Sequence, residues 1–355
     1  MNDIMVNKIN LKLKEFIEKI KASENPIIIF DDDADGVSSF LLLSKIFDHL
    51  NKDYKFRIVK SKPLLNSKYT HYLYGHDMAF VLDKPGFKKD FIDNVDIPIV
   101  WIDHHEPFEV PNNMFYFNPR CYDDSDNRAT TYWIHRTMKI YDDINDTNLY
   151  DEYKWIASIG IIGDWFIPDF LDELKERYSG YYEGNDQLSL LFDSKIGKVI
   201  QKVSFMLKGR TSVIKRRLDK LLEFESLKEL DESESFSEIN EKIDEFEELL
   251  KLAKKRFDNQ KGKVKYFIYE RKESYTSYLS NNLMYFYPDS VIFVCRNTKG
   301  DLKCSVRSNE YSLPERLDDA MQNIDGTSGG HEHACGMFIS KDDFPVFLNR
   351  FETSL

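Results

Sequence analysis

The apolar run Pro26-Ile27-Ile28-Ile29 leads into Phe30-Asp31-Asp32-Asp33-Ala34-Asp35-Gly36, and no other junction constrains this chain as tightly. The apolar part reads as a buried parallel strand. Carboxylates are then crowded at its end. Two of them about 4 Å apart repel by roughly 4 kcal/mol at an effective dielectric of about 20. A cation that cancels the charge removes the penalty, and carboxylate oxygens suit hard divalent ions such as Mg or Mn. In an extended segment, residues 31, 33 and 35 share one face and 32 faces away. Asp31, Asp33 and Asp35 are thus expected to converge. Gly36 permits a tight turn, and Val37 to Leu43 opens a helix. A strand's carboxyl end beside a helix N-terminus is the usual ligand position in an α/β sheet. The plain alternative for this stretch is a solvated acidic turn.

A second apolar run, Ile97 to Ile102, ends in Asp103-His104-His105. Imidazole nitrogen and carboxylate oxygen together make a credible mixed site for Mn or Zn. With Asp31-x-Asp33-x-Asp35-Gly36, the lone Asp83 after Ala79-Phe80-Val81-Leu82, and Asp164 after Ala157 to Gly163, these segments stand in a fixed order. In that order they resemble the DHH phosphoesterase superfamily, RecJ-like branch. At the other end, Gly329-Gly330-His331-Glu332-His333-Ala334-Cys335-Gly336 resembles the signature of the DHHA1-type substrate domain. Lys303 to Ser308 resembles that domain's strand with a phosphate-binding arginine.

The resemblance implies two divalent metal ions, Mn preferred and Mg as the second choice. Asp83 would bridge them. Asp33, with Asp31, would complete one site, and Asp35, His104 and Asp164 would hold the other. Asp31 stands where many relatives have His. Asp103 would orient His104 or nearby groups, and His105 would face the substrate phosphate, so these two are the catalytic candidates. Arg307, Gly329, Gly330 and His331 would grip phosphate. Arg120, in Asn118-Pro119-Arg120, resembles a family segment close to the substrate.

The implied fold is α/β. It has a parallel-sheet DHH catalytic domain over residues 1–190, a helical connector over 191–260, and a smaller α/β DHHA1 substrate-binding domain over 261–355 across a cleft. Strands are expected near 26–30, 55–60, 79–82, 98–102, 264–269, 290–295 and 302–306, with helices over 1–21 and 314–323 and a glycine-rich turn after the latter. Phe236, Ile239, Ile243, Phe246, Leu250, Ala253 and Phe257 form a heptad-like stripe, read as a helix packed on its own domains, with a partner surface as the alternative.

The implied activity is a metal-dependent phosphodiesterase, a single-strand-specific exonuclease on DNA, RNA or both. The alternatives are a short-oligonucleotide or phosphoadenosine phosphatase, and a replication-complex scaffold related to Cdc45. The formal net charge of −12 excludes a bulk DNA-coating protein. Single-stranded DNA or RNA would follow a local basic groove, for which Lys195, Lys198, Lys202, Lys208, Arg210, Lys215, Arg216 and Arg217 are candidates, a charged helix face being the commoner explanation. Replication or repair proteins are the protein partners the resemblance suggests. Cys121, Cys295, Cys304 and Cys335 show no Cys-x-x-Cys pair and read as free thiols. With no apolar run long enough for a membrane span, the expected location is the cytoplasm.

Overall fold

The computed structural model describes residues 3–60, 64–111 and 113–355. It is of the α/β class and parts into two units, Met1–Ser237 and Glu238–Leu355. The helices expected to form a connector over 191–260 are divided between them. Lys195–Met206 and Thr211–Leu221 lie in the first unit, and Ser237–Asp258 enters the second after its first residue.

The first unit is built on β1 (Pro26–Asp31), β2 (Lys55–Val59), β3 (Met78–Leu82), β4 (Ile99–Ile102) and β5 (Phe115–Phe117), in the order β2-β1-β3-β4-β5. Every pairing is parallel. The register matters most. Phe30 lies opposite Leu82, and Leu82 opposite Ile102. The strands therefore run out together, and Asp31, Asp83 and Asp103 leave the same edge of the sheet. Such strands are apolar on both faces because helices cover both. Phe30 stacks on Phe40 of the helix Ala34–His49 with ring centroids 4.4 Å apart. The helix expected over 1–21 runs Asp3–Ala22, its first two expected residues lying outside the described set. Ile9, Leu13, Phe16, Ile17 and Ile20 are buried as their spacing predicts, while Leu11 is exposed.

Gly36 does not make a turn. It lies inside the helix Ala34–His49. A Cβ there would sit 2.7 Å from the Asp31 carbonyl oxygen and 2.8 Å from its nitrogen. The residue is small because the helix begins against the strand end itself.

His135, in the helix Thr130–Asn145, is buried, and its Nε2–H donates to the Tyr150 carbonyl at 2.8 Å. Burial pushes its pKa down to about 4, against the pull of that carbonyl. The unfolded chain therefore takes up this proton first, near the ordinary value of about 6.5, and stability falls as pH drops from there toward 4. Between pH 7 and 5 the loss from this residue is about 2 kcal/mol. His135→Gln keeps a donor and cannot titrate. Urea unfolding at both pH values should show the variant losing about 2 kcal/mol less than the unchanged chain.

The second unit has β6 (Val264–Tyr269), β7 (Val291–Thr298), β8 (Asp301–Arg307), β9 (Gly326–His331) and β10 (Ala334–Ser340), in the order β6-β7-β8-β10-β9. Only β6 and β7 run parallel. Phe293, Val306, Ile339, Phe347 and Phe351 are among the residues that fill its core. Two sequence expectations change here. The Gly-Gly-His segment is not a turn: Gly329, Gly330 and His331 belong to β9 and pair with Gly336, Cys335 and Ala334. Neighbouring-strand pairing overrides the weak strand preference of glycine. Cys295 and Cys304 are not free thiols but a disulfide, because the β7–β8 register sets them opposite one another. Cys121 and Cys335 are free.

The stripe of the helix Ser237–Asp258 packs within its own unit. Phe246 meets Tyr275 and Tyr278, and Phe257 meets Tyr287. Much of the basic stretch is also spent on folding. The Lys202 ammonium donates to the carbonyls of Leu230, Asp231 and Ser233, and Arg217 donates to those of Met206 and Lys208. Lys195 pairs with Asp231 and Lys215 with Asp219. Among the described residues, no helix is long and apolar enough to cross a membrane.

Candidate metal centre

Asp83 follows β3 at a φ of 57°, in the left-handed region that aspartate tolerates better than most residues. Its amide donates to the Ile102 carbonyl at 2.9 Å, which ties the turn to the end of β4. The carboxyl is buried and its Oδ1 lies 3.4 Å from His104 Nε2. Thr130 donates its hydroxyl to the same oxygen at 3.3 Å.

Asp35 is not extended from β1. It lies in the first turn of the helix Ala34–His49 and is buried. The amides of Thr130 and Thr131 donate to its two oxygens at 2.8 and 2.7 Å. A helix N-terminus thus holds a carboxylate, as unsatisfied amides there do for anions in general. Asp33 caps the helix Ala34–His49 by accepting the Gly36 amide at 2.9 Å. Asp164 caps the C-terminal end of the helix Lys154–Gly163, and its Oδ2 lies 3.6 Å from His104 Nδ1.

His104 sits among these groups. Its Nδ1 donates to the Asn127 carbonyl at 3.0 Å, which leaves Nε2 facing Asp35 Oδ2 at 3.7 Å and Asp83. Nitrogen ligands of metals are commonly held this way through their other nitrogen. His105 takes Asp103 instead. Its Nδ1 donates to Asp103 Oδ1 at 2.8 Å and its amide to Oδ2 at 3.2 Å. Asp103, fully buried, thus orients His105, whereas the sequence reading offered His104 first. The reason is local: a turn after β4 brings the backbone of residue 105 back onto the carboxylate of 103.

The cluster is short of positive charge. Asp83 is held well above the carboxylate range by burial and by the charges of Asp35, Asp33, Asp103 and Asp164. Asp164 is pushed up to about 8 by burial and Asp35, against the opposing pull of His104. Asp33 rises to about 6 through burial of its carboxyl, then Asp35 and Asp31. Its residue surface is exposed, so solvent tempers the burial part and leaves the like-charge part. Burial pulls His104 down, but Asp35, Asp164 and the Asn127 carbonyl more than offset it and raise its pKa.

Among the described residues, two sets of side chains bring ligand atoms within 4.8 Å of one another: Asp83, His104 and His105, and Asp35, His104 and Asp164. The second is the set expected for one ion. Asp31 stands apart. Its Oδ2 pairs with Lys84 Nζ at 2.9 Å and its Oδ1 accepts the Asp32 amide at 2.7 Å. The mixed nitrogen and oxygen donors suit a divalent first-row ion such as Mn or Zn.

The remaining expected residues each have partners of their own. Arg120 pairs with Glu106 at 2.7 Å and Asp124 at 3.4 Å. Arg307 ends β8. Its Nε donates to Asn281 at 2.8 Å and its Nη2 to the Ser277 hydroxyl at 3.2 Å. Burial lowers its pKa. Gly330 has a φ of 151°, and a Cβ there would lie 2.4 Å from the Ala334 carbonyl, so the hairpin demands glycine. The same test at Gly329 meets nothing within 4 Å.

Sequence reasoning missed Thr130, Thr131, Asn127 and Lys84. Thr130 and Thr131 hold the Asp35 carboxylate, and Asn127 holds His104, through backbone amides and a carbonyl, which side-chain chemistry does not reveal. Lys84, directly after Asp83, was visible but carried no spacing signal.

Residues 26–161 match the family model described as the DHH family, N-terminal domain. RecJ from Thermus thermophilus in complex with Mn2+ superposes with a TM-score of 0.64 at 17% identity, over 98% of this chain and 54% of that one. The chain thus spans about half the length of the Thermus protein. A manganese-bound exonuclease RecJ gives a TM-score of 0.59 at 17% identity, covering 98% of this chain and 94% of that one. Cdc45 from Entamoeba histolytica gives 0.54 at 10% identity, covering 99% and 98%. These likenesses show a shared fold. Comparison of the whole sequence with curated proteins gives no match.

Proposed function

We propose that the chain, whose residues 26–161 match the DHH family, N-terminal domain, is a metal-dependent phosphoesterase of that superfamily, and that it is a single-strand-specific exonuclease acting on DNA, RNA or both and releasing mononucleotides. The observation that carries this reading is the gathering of Asp35, Asp83, His104, His105 and Asp164 into two interlocked donor sets at the carboxyl edge of the parallel sheet. Asp35, Asp83, His104 and Asp164, with Asp33, are the residues that would hold two divalent ions. Bound ions would supply Lewis-acid activation of the phosphoryl group and of an attacking water. Asp83 would serve both positions, since its Oδ1 is within 3.9 Å of both histidines. Asp103 fixes the proton of His105 on Nδ1 and leaves Nε2 for the phosphate or for an ion. Arg307, Gly329, Gly330 and His331 would contact substrate phosphate, the guanidinium being preset by Asn281 and Ser277. Retention of every acidic motif residue favours an enzyme over a scaffold with a degraded site.

End-labelled single-stranded DNA and RNA of several lengths, incubated with Mn, test the reading. We expect mononucleotides to accumulate with single strands, duplexes to survive, and excess EDTA to stop the reaction. Intact oligonucleotides alongside dephosphorylated phosphoadenosine would replace the nuclease with a small-molecule phosphatase. No hydrolysis of either, from a folded chain, would leave the scaffold reading.

A further inference from the structure

Trp165 stands where a helix end asks for glycine. It follows Asp164 directly and has a φ of 65°. Its amide donates to the Ile162 carbonyl at 3.0 Å, and the Phe166 amide donates to the Ile161 carbonyl at 2.9 Å. These two bonds close the helix Lys154–Gly163 through a left-handed residue. Glycine usually takes that position, because a Cβ is penalised there. Among the described residues, the other left-handed side chains belong to Asn51, Asp83, Asp146, Lys299 and Asn323, and none is aromatic. A bulky side chain in this backbone region is a genuine outlier.

The fold does not use the indole as a core side chain either. Of the four tryptophans, Trp101, Trp133 and Trp155 are buried, whereas Trp165 is 44% exposed. Its ring meets Phe192 edge-on, with centroids 5.8 Å apart. Phe192 and Leu188 lie four residues apart in the helix Gln187–Phe192 and share a face. Leu188 and Ile167 are exposed as well. The chain thus keeps a broad apolar ring in water, on backbone that disfavours it. The place is the neighbour of the metal centre. Consecutive Cα atoms are about 3.8 Å apart, and Asp164 Oδ2 lies 3.6 Å from His104 Nδ1.

Strained backbone that persists beside a reactive centre points to function rather than to folding. A flat, half-exposed aromatic surface next to a centre for phosphodiesters fits a nucleobase, since every base has a π face. We infer that Trp165 is a substrate-binding residue on which the base beside the scissile phosphate stacks. This rests on the exonuclease reading and deepens it. Stacking tolerates all bases, so the grip needs no sequence preference. A base inside a duplex already has both faces covered by its neighbours, so the platform also favours single strands. An exposed aromatic patch suits a protein partner too, but a protein seated at Trp165 would crowd the donor set that includes Asp164.

The experiment compares the unchanged chain, Trp165→Gly and Trp165→Phe in steady-state hydrolysis of a short single-stranded oligonucleotide with Mn2+. Matched oligonucleotides carry one abasic residue, placed on each side of the scissile phosphate in turn. Glycine removes the ring and suits the backbone, so Trp165→Gly should melt no lower than the unchanged chain and bind Mn2+ within about threefold. Its KM should rise about tenfold or more, the size of one base–aromatic stack, with kcat within about twofold. Trp165→Phe should recover most of that loss. On the oligonucleotide lacking the stacked base, the unchanged chain and Trp165→Gly should have the same KM within about twofold. A rise in KM that is equally large on both abasic substrates overturns the inference, since the ring would then act on something other than a base. An unchanged KM on the normal oligonucleotide overturns it as well and leaves the patch to a protein partner. A markedly lower melting temperature or weaker Mn2+ binding in Trp165→Gly would make the residue structural, which also overturns it. Absence of hydrolysis by the unchanged chain would overturn the nuclease reading beneath, and this one with it.

Discussion

Asp83→Asn is expected to reduce Mn-dependent phosphodiester hydrolysis at least ~10³-fold, about 4 kcal/mol of barrier, while leaving the metal-free protein no less stable. The two halves of this result have one cause. Asp83 is the carboxylate within reach of both histidines, so its charge is central to any ion held there. Without an ion the same charge is a burden, since burial and four neighbouring aspartates hold its pKa far above the usual range. Asparagine removes the charge, keeps the shape, and tolerates the left-handed backbone that residue 83 adopts. Alanine would add backbone strain and blur the comparison. Thermal melts in EDTA should show the variant equal to or up to a few degrees above the unchanged chain. Melts with Mn should show the metal-induced rise in Tm only in the unchanged chain. A variant that loses activity but melts many degrees lower in EDTA would mean that Asp83 is a structural residue.

Gly160→Ala should cost about 2 kcal/mol of unfolding free energy, although alanine is the better helix former by about 1 kcal/mol. Gly160 lies in the helix Lys154–Gly163, where a Cβ would come within 2.2 Å of Thr131 Oγ1 and 2.7 Å of Ser38 Cβ. Thr131 cannot give freely. Thr131 Oγ1 bonds the Asp35 carbonyl at 2.9 Å and lies 3.1 Å from Ser39 Oγ. Its amide donates to Asp35 Oδ1. Overpacking of well-filled interiors costs about 1–3 kcal/mol in general, and this contact meets groups already pinned. Displacing Thr131 also displaces Asp35, so Mn2+ affinity should fall about tenfold in the folded variant. Urea unfolding in EDTA measures the first effect through the midpoint, and Mn2+ titration measures the second. A variant as stable as the parent would show that three helices meet less tightly here than the distances imply.

The outline of the first unit was legible because its chemistry is written at strand ends. Apolar runs that stop at Asp31, Leu82 before Asp83, and Ile102 before Asp103 carry both the sheet and the site in one pattern. Direction of side chains was less legible. Strand alternation suggested that Asp31, Asp33 and Asp35 share a face, yet the chain enters a helix at Ala34. Asp31 turns to Lys84, and Asp35 reaches its place from a helical turn. Register was the other hidden quantity. It alone brings Cys295 opposite Cys304 and turns the Gly-Gly-His segment into a paired strand. Neither follows from local composition, because both depend on which residue of a distant strand stands across the ladder.

The hold of Thr130 and Thr131 on Asp35 has a consequence for what the substrate can use. The leading amides of the helix Thr130–Asn145 form its positive pole. In many phosphate-handling folds such a pole cradles the incoming anion. Here it is already consumed by a protein carboxylate at 2.7 and 2.8 Å. Phosphodiester groups arriving at this edge would therefore have to be attracted by bound ions and by side-chain cations rather than by that dipole, which makes capture by the first unit depend on its metal load.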